Sequence, residues 1–179
     1  LAFSGSNIFA GTGDGVFLSS DNGANWQAVN NGLTNTIVFE LAINGNNIFA
    51  STLGGGIFLS NDNGANWQAV NNGLTNTIVF ELAIRGSNIF AGTWGGGVFL
   101  SSDNGANWQA VNNGLTNTLV TALAISGNNI FAGTGDGVFL SSNNGSNWQA
   151  ANNGLTNVSV QALAINGSNI FAGTNGDGA

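Results

Sequence analysis

Ile8-Phe9-Ala10-Gly11-Thr12 sets the reading of this chain, because it recurs. It returns as Ile48 to Thr52, with Ser51 in place of the glycine, then as Ile89 to Thr93, Ile130 to Thr134 and Ile170 to Thr174. Successive copies lie 40, 41, 41 and 40 residues apart. A fixed period of this size marks stacked supersecondary units, none of which can bury its apolar face alone.

Within one period the residues read as four short strands. Ile78-Val79-Phe80-Glu81-Leu82-Ala83-Ile84 is β-branched and aromatic and reads as strand A. Arg85-Gly86-Ser87 is a turn, and Asn88 to Thr93 is strand B. Trp94-Gly95-Gly96-Gly97 is a glycine turn, and Val98 to Ser101 is strand C. Asp103-Asn104-Gly105 is a turn of the kind that closes tight hairpins. Asn107 to Val111 then reads as strand D. No segment sustains an i, i+3, i+4 apolar pattern, so helices are not expected. The one-residue change of period falls in the B–C turn, which is Gly13-Asp14-Gly15 or Gly135-Asp136-Gly137 in two copies and one residue longer in the other two.

Four short antiparallel strands in roughly 40 residues are the mark of a β-propeller blade. The expected fold is all-β: four four-stranded antiparallel blades plus an extra terminal strand pair, with a five-bladed ring as the alternative. A parallel β-helix is the competing architecture, but its coils are usually shorter than this period. The chain reads as one repeat domain, 1–179, with approximate repeats 1–36, 37–77, 78–118 and 119–157 and a partial repeat 158–179.

The C–D turn carries a motif. Ser19-Ser20-Asp21-Asn22-Gly23-Ala24-Asn25-Trp26 fits Ser-x-Asp-x-Gly-x-x-Trp, as do Ser60 to Trp67 and Ser101 to Trp108. The fourth copy, Ser141 to Trp148, has Asn143 in place of the aspartate. This pattern resembles the Asp-box, or bacterial neuraminidase repeat, in phase with the period along nearly the whole chain. The resemblance implies a propeller in which the box is a structural turn at a blade's outer edge. It points to sialidases, xyloglucan-active glycosidases, sortilin-type receptors and photosystem assembly factors alike, so it implies no single activity. On this reading Asp21, Asp62, Asp103 and Asn143 are turn staples whose side-chain oxygens accept hydrogen bonds from their own turn. Trp26, Trp67, Trp108 and Trp148 cover the apolar blade edge.

Composition excludes more than it identifies. Arg85 is the single basic side chain, the net charge is -7, and there is no histidine, cysteine, methionine, proline or tyrosine. Phosphate backbones need several Lys or Arg contacts, which argues against nucleic acid. Anionic membrane surfaces are disfavoured for the same reason, and no apolar run is long enough for membrane insertion as a helix. Disulfides and thiolate metal sites are impossible. A sialidase site fails, because the resemblance implies an arginine cluster and a tyrosine nucleophile. The Asn- and Gly-rich, nearly uncharged surface is typical of proteins outside the cell or on its surface. A chain opening on Leu1 reads as a processed form, a fragment, or the ordered part of something longer.

The remaining candidates are few. Glu40 and Glu81 occupy equivalent places on adjacent strands A, where a carboxylate pair can act as acid and base. The third and fourth repeats carry Ala122 and Ala162 there, so no catalytic residue is assigned. Asp14, Asp136 and Asp177 sit in glycine turns without the ligand spacing of a calcium loop, and no metal or cofactor is expected. The sequons at Asn144, Asn157 and Asn166 are expected by chance in so Asn-rich a chain. Trp94 lies outside the repeated motif, in a B–C turn. It reads either as a stacking surface for a sugar or a protein, or as a packed turn residue.

The two ends nearly coincide in sequence: Leu1 to Thr12 matches Leu163 to Thr174. Leu1, Phe3, Ile8 and Phe9 at one end, and Leu163, Ile165, Ile170 and Phe171 at the other, are therefore candidate assembly strands. The second set can clasp the ring within one chain or complete a blade of a neighbouring copy. The leading expectation is a non-enzymatic extracellular structural protein that self-assembles through these strands into a filament, tube or surface layer. A lectin-like, multivalent carbohydrate-binding propeller is the alternative, and a glycoside hydrolase using Glu40 and Glu81 comes third.

Overall fold

A computed structural model of the chain describes residues 1–156 and 158–175. The sequon asparagine Asn157 and the turn aspartate Asp177 lie outside the described residues. Strands β1 (Ala2–Ser4), β2 (Asn7–Thr12), β3 (Gly15–Ser19) and β4 (Gln27–Ala28) form the first antiparallel sheet. The second is β5 (Val38–Asn44), β6 (Asn47–Thr52), β7 (Ile57–Ser60) and β8 (Gln68–Ala69). The third is β9 (Val79–Arg85), β10 (Asn88–Thr93), β11 (Gly97–Ser101) and β12 (Gln109–Ala110). The fourth is β13 (Val120–Ser126), β14 (Asn129–Thr134), β15 (Gly137–Ser141) and β16 (Gln149–Ala150), and β17 (Val160–Asn166) pairs with β18 (Asn169–Thr174). This is the expected all-β propeller architecture, four four-stranded blades followed by a strand pair, with no helix among the described residues.

Strand A runs on through Arg85, strand C begins one residue early at Gly97, and strand D ends one residue early at Ala110. Two strands start later than expected, and both late starts come from contacts between blades. Strand D shrinks to Gln109–Ala110 because the Trp108 N–H turns away from its own sheet and donates to the Asn72 carbonyl of the preceding repeat, 2.8 Å away. Strand A starts at Val79 because Ile78 bridges to Leu53 instead.

Each blade packs its B strand against the A strand of the next, β2 on β5, β6 on β9, β10 on β13 and β14 on β17. The seam is the same each time. Phe49, Ile57, Val70 and Leu74 of the second blade meet Ile89, Ala91 and Trp108 of the third. Phe9, Val16, Val29 and Leu33 meet Ile48, Ala50 and Trp67 in the same way. Full burial of such a side chain contributes about 1.5–3 kcal/mol, so most of the apolar stabilisation lies between blades. The clasp that the duplicated ends allow does not form. β1 keeps its pairing with β2, while β17 pairs with β18 and packs on β13 and β14. Among the described residues no strand of the last pair joins the first sheet.

One glycine per seam is fixed by this approach. Gly73 has φ of 83°, and a Cβ there would run into the Trp108 carbonyl oxygen. Gly154, its counterpart in the fourth blade, has φ of 88° and open space around it. A left-handed backbone alone costs a non-glycine residue about 1–2 kcal/mol. Gly154→Ala is therefore expected to lose about that much in urea denaturation, and Gly73→Ala clearly more. Equal losses would mean that the seam does not require the glycine.

Candidate functional site

The inner strands each carry one residue too many for the ladder. Val38 pairs with Thr52 and Glu40 with Ser51, so Phe39 is the extra residue; Phe80, Thr121 and Gln161 are its equivalents. A bulge of this kind re-aims a side chain. Here it turns Phe39 and Phe80 out to one rim of the arc, where their ring centroids lie 5.1 Å apart. Trp94 continues the row at 5.6 Å from Phe80. Trp94 is 56% exposed, although its backbone is held on both sides. Its N–H donates to the Ile78 carbonyl (3.0 Å), and its carbonyl accepts from Asn76 Nδ2 (2.6 Å). Trp94 is thus an exposed member of an aromatic row and not a packed turn residue. Sequence reasoning took Phe39 and Phe80 for ordinary strand residues. The signal was the spacing of buried Val79 and Leu82, three apart, which strict alternation forbids.

Glu40 and Glu81 follow the two phenylalanines on β5 and β9, and the fold brings them within electrostatic range. Burial pushes the Glu81 carboxyl up to about 7, with the Glu40 charge adding to the effect. Burial also raises Glu40, opposed by the chain's amino terminus and a hydrogen bond from Leu41. Arg85 is not part of this group. It lies at the far end of β9, roughly 17 Å from Phe80 at about 3.3–3.4 Å per residue, where it donates to the Gly127 carbonyl and to Asn144 Oδ1. Asp14 and Asp136 stay in their turns, each N–H donating to a threonine hydroxyl. Among the described residues no group of three His, Cys, Asp or Glu could hold a metal ion.

The C–D turns are built alike. Ser60 Oγ donates to Asp62 Oδ1 (2.8 Å), the Asn66 N–H donates to the same oxygen (2.9 Å), and Asn66 Nδ2 donates to Oδ2 (2.8 Å). Asp21 and Asp103 repeat this set, and these hydrogen bonds hold all three carboxyls below the usual aspartate range. Asn143 keeps the first two bonds through its single carbonyl oxygen. The tryptophans of these turns reach the preceding blade. Trp67, Trp108 and Trp148 donate through Nε1 to the carbonyls of Val29, Val70 and Val111 at 2.7, 2.8 and 2.7 Å. Trp26, in the first sheet, is 43% exposed, against 3–5% for the other three.

The candidate assembly strands are not brought together. Leu1 and Phe3 are exposed on β1, with Ile8 partly buried and Phe9 buried beside them. Ile170 and Phe171 are exposed on β18, while Leu163 and Ile165 pack partly against the fourth blade. Beside β18 lies a cavity of about 190 Å³.

The chain matches no described protein family and no curated protein. Solved structures do match it. An ancestral GH74 enzyme is 24% identical, over 81% of this chain and 22% of that one, with a TM-score of 0.69. The extracellular domain of the hybrid two-component system BT4673 from B. thetaiotaomicron is 19% identical, over 96% of this chain and 25% of that one, with a TM-score of 0.79. YCF48 from Cyanidioschyzon merolae is 16% identical, over 96% of this chain and 62% of that one, with a TM-score of 0.69. This chain spans about a quarter of the first two. At these identities the likeness shows the propeller fold alone. Several neighbours are extracellular domains, and no helix among the described residues is long and apolar enough to cross a membrane.

The titrations set opposite limits on stability. The aspartates at the C–D turns have folded values below 3.8, so their contribution is complete above that pH and is lost as pH falls through the lower values. Glu81 rises from 4.5 to about 7 on folding, so its ionisation opposes folding progressively between those values. Thermal midpoints are expected to peak in acid, between 3.8 and 4.5, and to decline from there towards neutral pH. Glu81→Gln should remove most of the decline towards neutral pH and leave the acid limb intact. An unchanged decline would show that Glu81 is not the group responsible.

Proposed function

We propose that this chain is a non-catalytic, extracellular propeller segment that binds neutral carbohydrate along the rim formed by Phe39, Phe80 and Trp94. The exposed aromatic row carries the reading. Three adjacent rings, with half-buried Phe80 between exposed Phe39 and Trp94, offer stacking faces for the C–H faces of sugar rings. Charge selects within the carbohydrates. The one arginine is at the opposite rim and the net charge is -7, so carboxylated or sulfated glycans meet no basic side chain there and are disfavoured. Near neutral pH a partly protonated Glu81 donates as well as accepts, which suits a polyol. The glycoside hydrolases and extracellular sensor domains among the neighbours are consistent with such a role outside the cell. Binding is favoured over turnover because the repeats do not keep the carboxylate: Ala122 and Ala162 stand where Glu40 and Glu81 do.

A second reading, self-assembly into a structural polymer, is favoured by a different observation: Trp26 and Phe171 are exposed although their repeat counterparts are buried.

The glycan reading is tested by calorimetry with neutral β-glucan and galactan oligosaccharides, beside uronic-acid and sulfated oligosaccharides. Binding of a neutral series is expected, weakened at least tenfold by Trp94→Ala or Phe80→Ala. Binding confined to the charged series, or undiminished in both variants, sinks the proposal. Release of reducing sugar that is abolished in Glu81→Gln would instead establish a hydrolase.

A further inference from the structure

The single basic side chain and the single C–D motif without an aspartate lie at the same joint. Arg85 ends β9 of the third blade and reaches across to the fourth. There its guanidinium donates to the Gly127 carbonyl (3.2 Å) and to Asn144 Oδ1. Both acceptors are neutral, and a guanidinium has more N–H donors than these two bonds use. Asn144 belongs to the turn in which Asn143 stands in place of the aspartate.

That replacement reverses the polarity of one place in the turn. In the third blade Asp103 Oδ2 accepts from Asn107 Nδ2 at 2.8 Å, and Asn107 Oδ1 accepts from Asn72 Nδ2 of the preceding blade at 2.6 Å. In the fourth blade Asn147 Oδ1 likewise accepts from Asn113 Nδ2, which leaves the Asn147 Nδ2 facing its own turn. Asn143 Oδ1 is taken by Ser141 Oγ and the Asn147 N–H, at 2.9 and 3.0 Å. Its Nδ2 therefore stands where the second carboxylate oxygen stands in the other turns. Two amide donors meet where those turns pair a donor with an anionic acceptor.

The same turn borders a groove. Asn143, Asn144 and Ser146 of the fourth blade and Gln109, Asn112 and Asn113 of the third line a cavity of about 480 Å³, and no carboxylate lines it. Both blades are complete four-stranded sheets. The volume falls in the range of ligand pockets, about 300–1,000 Å³, and exceeds what a bare ion fills.

We propose that this groove is a second ligand site and that it takes a polar monocarboxylate. A carboxylate oxygen accepts from the Asn143 and Asn147 amides, and Arg85, bound to Asn144, supplies the balancing charge. One arginine balances one negative charge, which suits a carboxylate better than a phosphate monoester at about -1.5 to -2. Gln109 and Ser146, both exposed, meet the hydroxyl or amide groups of the ligand. The equivalent turns carry Asp62 and Asp103, whose carboxylates repel such a ligand, so the site belongs to this joint alone. It shares no residue with the aromatic rim and does not rest on the rim reading.

The test is a titration followed through the side-chain amide resonances of Asn143 and Asn147. Methyl glucuronide and acetyl-glycyl-glycine serve as the two sources of a monocarboxylate, with methyl glucoside and inorganic sulfate as controls. Saturable shifts of both amides are expected with at least one carboxylate, and the responding probe names the source. Affinity should fall at least tenfold in Arg85→Gln and in Asn143→Asp, and stay unchanged in Trp94→Ala. Asn143→Asp restores the turn of the other three blades, so its thermal midpoint should not fall below that of the wild type. No shift with either carboxylate, equal affinity for sulfate, or binding retained in Asn143→Asp would each overturn the site. Loss in Trp94→Ala with no loss in Arg85→Gln would place the carboxylate at the rim and overturn it as well.

Discussion

The fold depends on one hydrogen-bonded joint, the tryptophan of each C–D turn against the blade before it. Its indole N–H reaches the carbonyl of Val29, Val70 or Val111, and its backbone N–H reaches the carbonyl of Asn31, Asn72 or Asn113. These two bonds set the distance between blades, and the distance in turn requires glycine at 32, 73 and 114. The short D strand follows from the same joint, because the Trp108 N–H cannot serve its own sheet and its neighbour together. The Asp and Ser of the turn act one step back: they fix the turn so that the indole is presented at the right place.

Asparagine does the work that ion pairs do in other proteins. Asn71 accepts from the Ile57 N–H at 2.7 Å and donates to the Gly55 carbonyl at 2.9 Å, which ties strand C to the segment after strand D. Asn30, Asn112 and Asn152 do the same in the other blades. Among the described residues no buried side-chain nitrogen or oxygen lacks a partner. A neutral amide can both donate and accept and carries no charge-desolvation cost. In such a scaffold an ionisable pair is conspicuous. Burial raises Glu40 and Glu81, and no basic side chain offsets it.

Strand order, turns and repeat number were legible in the sequence because they are local. Period-two alternation and Asx-Gly turns act over a few residues, and each repeat states them again. The joints were legible only in part. Trp67 was readable as an apolar cover, but its partner Val29 lies 38 residues earlier in the chain, and no local pattern names it. Whether the chain closes on itself was not legible, since closure depends on the angle between blades, a property of the packed seam. The aromatic row was missed for a more instructive reason. Phe39 and Phe80 were read as strand residues by alternation, and the odd Val-to-Leu spacing that makes them a bulge was passed over.

That bulge also explains where variation is tolerated. Comparing the repeats with one another, the seam positions scarcely change: Phe9, Phe49, Phe90 and Phe131 are the same residue, as are Leu33, Leu74, Leu115 and Leu155. The bulged position changes freely, from Phe39 and Phe80 to Thr121 and Gln161, and the B–C turn from Gly13 to Leu53, Trp94 and Gly135. A bulged residue stands outside the ladder, so its side chain can change without altering strand pairing, even where, as at Thr121, it donates to the Val160 carbonyl of the next inner strand (2.6 Å). The positions that do not vary, the tryptophan and its seat, are those that join one blade to the next.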